Sequence, residues 1–310
     1  MRPIHWKEEG AVADAVWGID LGGTKIEGVV LPASASVEAL CRIRRPTEAE
    51  RGYDHLRGQI RELVEAMERE VGQRPEAIGI GTPGVLDPET LRLKNSNMTC
   101  LIGQPLKADL EAELGVPIEL ANDANCFALA EARLGAARGI ESCFGVIMGT
   151  GVGGGVVVDG RALLGCQGIA GEWGHNILDS AGPDCYCGRK GCVETFISGP
   201  SLERFYAELD GETASLPEIV ARSESGADAN ARATVERLVS YFGKALATVV
   251  NILDPHAIVL GGGVSNVDLL YTRGVEAMKP WVFNDRFLTR VVKNELGDSA
   301  GVFGAAMLVA

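Results

Sequence analysis

The sequence predicts an α/β fold made of two related halves. Strand-like runs alternate with helical spacings along the chain, which is the pattern of mixed α/β architecture. A unit of strand, glycine turn and strand occurs twice, at residues 16–31 and 143–158, each time followed by further α/β elements. That repetition predicts a duplicated core with a cleft between the halves. The 310 residues suit about two domains of ~150 residues each.

Each element has its own signal. Trp17, Ile19 and Leu21 lead into the turn DLGGTK, and Ile26, Val29 and Val30 lead out of it. Residues 53–71 place Leu56, Ile60, Leu63, Val64 and Met67 on one helical face. AIGIGTPG (77–84) reads as a short strand ending in a turn. Residues 107–114 read as a helix stopped by Gly115, and 116–121 as a strand. Residues 123–137 follow as a helix carrying Phe127, Leu129, Ala130 and Leu134. The second hairpin covers 143–160. A long helical pattern over 229–253 closes at Asp254-Pro255. HAIVLGGG (256–263) is a strand, with a helix expected from about Val267 to Met278, a strand at 290–292 and a final helix from Ala300.

Composition narrows the function. Hydrophobic residues make up 46% of the chain and charged residues 23%, enough apolar material for large cores. A net charge of −13 argues against a nucleic-acid or anionic-membrane partner, while leaving room for a local phosphate site. The first fifteen residues contain no apolar signal-peptide core, and no apolar run reaches the ~20 residues of a membrane span. A cytoplasmic location is expected. In a reducing compartment the eight cysteines read as thiols or metal ligands rather than disulfides.

The glycine turns DLGGTK (20–25) and GTGVGGG (149–155) are candidate phosphate cradles. Their backbone N–H groups can approach an anion closely, and Thr24 and Thr150 add hydroxyls. GGGVSN (261–266), expected to open a helix, is a third such place. GTGVGG and GIGTPG formally match a dinucleotide fingerprint. The first runs into a β-branched stretch and the second into VLDPE, so neither is followed by the helix that motif needs. No Walker-type motif occurs.

Asn122 and Asp123 fall where a strand gives way to a helix. Both are common N-cap residues, which is one reading. The other is a carboxylate at a strand end facing the cleft, where it accepts a proton from a substrate hydroxyl. Phosphoryl transfer needs such an orienting group, together with positioning and charge neutralisation.

GEWGHNILDSAGPDCYCGRKGCVETF (171–196) gathers one imidazole and three thiols. His175, Cys185, Cys187 and Cys192 form a four-member set of soft donors, which suits a tetrahedral structural zinc. The glycines of CYCGRKGC allow the tight turns of a metal knuckle. With one ring nitrogen on a metal, the other nitrogen of His175 is free for a hydrogen bond in the cleft.

Taken in order, DLGGTK, GTPG, NDAN, GTGVGGG, AGEWGH, CYCGRKGC and LGGG resemble the ROK family of sugar kinases and sugar-responsive repressors over nearly the whole chain. Within the family, residues 94–106, 170–176 and 185–199 look most like bacterial fructokinases and mannokinases. NDANCFALAEA (122–132) also resembles N-acetylglucosamine kinases. The resemblance implies an actin-like ATPase (ribonuclease H-like) fold with a small domain over residues 1–121, completed by a C-terminal helix at about 297–310. A large domain with the zinc knuckle spans 122–296.

The resemblance also implies roles for individual residues. Asp123 is expected as the catalytic base. Asn97, Asn122, Glu172, His175 and Glu194 are expected on the sugar, and Asp20 on Mg²⁺. Gly22, Gly23, Thr24 and Lys25, with Gly149, Thr150 and Gly151, are expected around the ATP phosphates. Gly261, Gly262 and Gly263 are expected beside the adenosine. His175, Cys185, Cys187 and Cys192 are the expected zinc ligands. The expected activity is transfer from ATP to the 6-hydroxyl of a hexose, with fructose or mannose ahead of N-acetylglucosamine and glucose, in a homodimer. The repressor alternative is disfavoured, because only 19 residues precede Asp20, too few for a helix-turn-helix module.

Overall fold

A computed structural model describes residues 15–33 and 36–310. The N-terminal stretch read for a signal peptide, with the start of the first expected domain, lies outside them. In chain order the elements begin with β1 (Ala15–Leu21), β2 (Lys25–Pro32), β3 (Cys41–Pro46), α1 (Tyr53–Val71), β4 (Ile78–Thr82), β5 (Val85–Leu86) and β6 (Leu93–Lys94). Then come α2 (Leu106–Leu114), β7 (Ile118–Asn122), α3 (Asp123–Arg133), β8 (Ser142–Met148), β9 (Val152–Val158) and β10 (Arg161–Leu163). The remainder comprises α4 (Glu194–Ile197), α5 (Gly199–Asp210), α6 (Leu216–Ser225), α7 (Ala229–Leu253), β11 (Ala257–Gly261), α8 (Arg273–Met278), β12 (Arg290–Lys293) and α9 (Ala300–Met307).

The duplication appears in the sheets. One runs β3-β2-β1-β4-β7 and the other β10-β9-β8-β11-β12. In each, the first three strands pair antiparallel and the last two join in parallel. This is the actin-like ATPase fold. The β1–β2 and β8–β9 hairpins are the two units found in the sequence, and each glycine turn sits at the same end of its sheet.

Two helices fill the space between the sheets. α9 lies on β1, β2 and β4, α3 lies on β8 and β9, and the two helices pack on each other. Both faces of β8 and β11 are therefore covered. Val146, Met148, Ile258 and Leu260 belong to the core that includes α7, whereas Cys143, Ala257 and Val259 belong to the α3–α9 core. Such strands read as continuous apolar runs rather than alternations. Close approach is obligatory here. A Cβ on Gly304 would sit 1.7 Å from the carbonyl oxygen of Cys126, and one on Gly79 would sit 1.8 Å from that of Ala305.

Some elements differ from expectation. α5 and α6 were not anticipated. Their starts carry Pro200 and Pro217 in the first turn, and Ser215 and Glu218 form a capping box. The helix expected from Val267 to Met278 is instead two 3₁₀ turns, Gly263–Asn266 and Asp268–Tyr271, followed by α8. Buried Val264, Val267 and Leu270 recur every third residue, the 3₁₀ period, which explains the outcome. The segment after Gly263 thus lacks the long helix whose N-terminus was expected to favour an anion. Among the described residues no helix is long and apolar enough to cross a membrane.

Candidate active site

A cavity of about 610 Å³ opens where the two sheets face each other across α3 and α9. Its wall includes Asp20, Gly22 and Gly23 from the end of β1, Asn97, and Asp123 at the head of α3. Gly262 and Gly263 follow β11, and Lys293 to Asn294 end β12. The sequence-predicted residues Asp20, Gly22, Gly23, Asn97, Asp123, Gly262 and Gly263 thus converge on one space.

Local hydrogen bonds explain how Asp123 is set. Asn122 caps α3, its Oδ1 accepting the Ala124 N–H at 2.9 Å, while its Nδ2 donates to the Gly84 carbonyl at 3.4 Å. Asn122 thus caps the helix, and Asp123, the next residue, lies on the cavity wall. The Asp123 Oδ1 also accepts the Ala124 N–H, at 2.8 Å. Asp123 is open to the cavity but enclosed by protein elsewhere. That burial pushes its carboxyl above the ordinary carboxylate range, against the opposing pull of the Ala124 N–H. Asp20 is pushed up to about 6, by burial first and then by the Asp123 and Glu27 carboxylates. Asp20 and Asp123, two carboxylates on one cavity wall, offer oxygen donors of the kind a hard divalent cation takes.

Glu27 pairs across the hairpin from Asp20 and is almost fully buried. Arg42 and Arg44 on β3 bond its two oxygens, Arg44 Nε at 2.9 Å, and Lys25 lies 3.6 Å away. Burial alone would raise the Glu27 carboxyl, but the two guanidinium groups outweigh it and hold the carboxyl below its usual range. Lys25 is therefore engaged with Glu27. The first glycine turn is braced by buried Thr47, whose hydroxyl donates to the Gly22 carbonyl at 2.6 Å and whose N–H donates to the Thr24 carbonyl at 3.0 Å. Thr24 itself is exposed at the tip of that turn.

The second glycine turn lies outside the set of cavity-lining residues. Gly149 N–H donates to the Gly151 carbonyl at 2.9 Å, and the Gly149 carbonyl accepts from Gly199, the first residue of α5. Thr150 is exposed. The Val152 N–H donates to Glu194 Oε2 at 2.9 Å. Gly261 is buried, and a Cβ there would meet the Phe127 ring at 2.6 Å, so it serves packing rather than the cavity wall.

Glu172, His175 and Glu194 form a neighbouring group. The Glu172 carboxyl is raised, chiefly by burial and further by Asp123 and Glu194, with His175 opposing. The Asp123 and Glu194 carboxylates thus lie near enough to Glu172 for their charges to be felt there. His175 Nδ1 lies 3.5 Å from Cys185 Sγ, and its Nε2 lies 3.0 Å from the Tyr186 hydroxyl. The donor atoms of His175, Cys185, Cys187 and Cys192 all lie within 4.8 Å of one another, so these side chains fit a tetrahedral zinc. The nitrogen expected to reach into the cleft meets Tyr186.

Two further residues emerge only in three dimensions. Glu131, wholly buried on α3, accepts the N–H groups of Ala136 at 2.9 Å, Glu295 at 3.2 Å and Leu296 at 2.9 Å. It ties the helix of Asp123 to the loop after β12. Lys293 precedes that loop. A single charged letter among apolar ones was the only available signal for Glu131, and Lys293 had none.

The fold and this arrangement define a class of actin-like ATPases with a polar cavity between duplicated halves. The chain belongs to the ROK family, whose model matches residues 16–310. It is similar to the N-acetyl-D-glucosamine kinase of Aliivibrio fischeri, 36% identical over 302 residues covering 94% of this chain and 98% of that protein. The N-acetyl-D-glucosamine kinase of Pectobacterium atrosepticum is 37% identical over 303 residues, with the same coverage. Among solved structures, a ROK hexokinase from Thermus thermophilus superposes with a TM-score of 0.85 at 37% identity, covering 94% of this chain and 97% of that one. A ROK family glucokinase from Streptomyces griseus, in complex with glucose and AMPPNP, gives 0.74 at 29% identity, covering 95% and 98%.

Proposed function

We propose that this ROK family enzyme, an ATP-dependent sugar kinase, transfers the γ-phosphoryl group of ATP to the 6-hydroxyl of a hexose, with N-acetyl-D-glucosamine first in preference. The observation that carries the reading is the position of Asp123, which begins α3 on the wall of a cavity also lined by Asp20 and the glycine turns after β1 and β11. The sugar assignment rests on the N-acetyl-D-glucosamine kinases that match the chain over nearly its full length. It moves the preference away from fructose or mannose, the first expectation from the sequence. Glucose is the second reading, supported by the likeness to the Streptomyces griseus glucokinase.

Asp123 orients the 6-hydroxyl and takes its proton as the new O6–P bond forms and the bond from phosphorus to the β-phosphate oxygen breaks. Burial raises its affinity for protons above that of an ordinary aspartate, which favours it as a base. The backbone N–H group of Gly23, with those of Thr150 and Gly151, would supply fixed dipoles for the phosphate oxygens, while the Gly22 and Gly149 N–H groups close their own turns on the Lys25 and Gly151 carbonyls. Bound Mg²⁺ would neutralise phosphate charge, with Asp20 the residue to hold it, directly or through water. Asn97, Asn122, Glu172, His175 and Glu194 would hold the sugar hydroxyls. Thr24 and Thr150 would add hydroxyls at the phosphates, and Gly262 and Gly263 would flank the adenosine, with Gly261 packed behind them on Phe127.

His175, Cys185, Cys187 and Cys192 would carry a structural zinc that keeps the 171–196 segment rigid. We assign residues up to 121, with α9, to a small domain and 122–296 to a large one, and we expect a homodimer. A coupled ADP-release assay over a panel of hexoses tests the reading. It requires the highest kcat/KM with N-acetyl-D-glucosamine and phosphate on O6 of the product. ATP hydrolysis indifferent to every hexose would overturn it.

A further inference from the structure

Strand β12 ends inside the cavity. Its last residue, Lys293, pairs with Leu260, the residue just before the glycines 261–263. Both Lys293 and Gly262–Gly263 line the cavity. The described side chains of that wall include four carboxylates, from Asp20, Asp123, Glu295 and Asp298, but one cation, Lys293. Lys293 is exposed, and its ammonium has no ion-pair or hydrogen-bond partner among the described residues. A lysine sharing a cavity with four carboxylates yet paired to none of them is left with three unused donors.

The backbone that carries it is braced. The Asn294 N–H donates to the Leu260 carbonyl at 3.0 Å. The Asn294 amide, oriented to satisfy its neighbours, donates to the same carbonyl and accepts the Gly297 N–H, both at 3.1 Å. Glu295 and Leu296 are held by the buried Glu131 carboxylate. Lys293 therefore projects from a fixed strand end rather than from a loose loop.

We propose that Lys293 is a phosphate contact for the bound nucleotide, acting on the α- or β-phosphate while the γ-phosphoryl group lies at Asp123. The assignment rests on the kinase reading above. The glycine turns offer only neutral N–H dipoles, and a polyphosphate entering a wall of four carboxylates needs a compensating positive charge. An ammonium bonded to phosphate is a charge-assisted contact of the stronger kind.

The test compares wild type, Lys293→Met and Lys293→Arg by calorimetry with Mg²⁺ present, using ATP, ADP, AMP and adenosine as ligands. The methionine variant should weaken ATP and ADP by about tenfold or more, leave adenosine unchanged, and keep the hexose KM. The arginine variant should recover most of the loss. Weakening that extends to AMP places the contact on the α-phosphate; weakening confined to ATP and ADP places it on the β-phosphate. Unchanged ATP binding in Lys293→Met, or an equal loss for adenosine, would overturn the proposal. A wild type that binds no nucleotide would instead remove the kinase reading itself.

Discussion

The Glu194 carboxylate accepts the backbone N–H of Val152 at 2.9 Å. One side chain thereby joins the first turn after the cysteine knuckle to the second glycine turn. A Cβ on Gly151 would lie 2.6 Å from the same oxygen, so the turn and the carboxylate are fitted to each other. The proposed sugar wall and one proposed phosphate cradle are therefore mechanically linked. Glu194→Ala should raise the KM for hexose and for ATP together. Glu194→Gln, whose amide oxygen still accepts the Val152 N–H, should raise the hexose KM while sparing the ATP KM. Steady-state kinetics with each substrate varied in turn checks this, and an ATP KM untouched by Glu194→Ala would break the link.

The pH dependence follows from burial at Asp123. Desolvation lifts its carboxyl above the ordinary carboxylate range. As pH falls, Asp123 takes up a proton earlier than an ordinary aspartate and can no longer accept one from the hexose. The acid limb of kcat/KM should therefore lie above the usual carboxylate range. Asp20, lifted to about 6 by burial and by the Asp123 charge, also titrates on that wall. A kcat/KM profile that stays level down to pH 4 would contradict this.

Metal removal tests the knuckle. Purified protein should contain about one zinc per chain by elemental analysis. Cys187→Ser should lower that content and weaken hexose binding through the loop of Glu172 and His175, with a smaller effect on ATP. Metal-free wild type with full activity would refute the zinc assignment.

Packing between α9 and the first sheet predicts a stability effect remote from chemistry. In Gly79→Ala the new Cβ would fall 1.8 Å from the Ala305 carbonyl oxygen, on backbone that has no freedom to retreat. Overpacking of this kind costs about 1–3 kcal/mol. The urea midpoint should drop with an unchanged slope. A wild-type midpoint would show that α9 can shift away from β4.

Much of this architecture was readable in the residues because burial leaves periodic traces. Trp17, Ile19 and Leu21, or Leu56, Ile60, Leu63 and Met67, mark their elements directly. Asp123 was legible because a strand end, a cap and a carboxylate coincide. α5 and α6 were missed although Ser215 and Glu218 carry a capping signature, since their apolar positions are diluted by charge. β3 carries only Cys41 and Ile43 as apolar inward residues before Arg45 and Pro46, too short an alternation to mark a strand. Lys293, Glu131 and Thr47 owe their places to chain closure across 25 to 165 residues, and no local pattern encodes that.

Asp123 is the proposed base on the cavity wall. The most direct measurement is the turnover of Asp123→Asn at saturating ATP and hexose, with binding of both followed separately. Both substrates should still bind, and kcat should fall by roughly 10²–10⁴-fold, the contribution of a positioned general base. A kcat close to that of the wild type would contradict it.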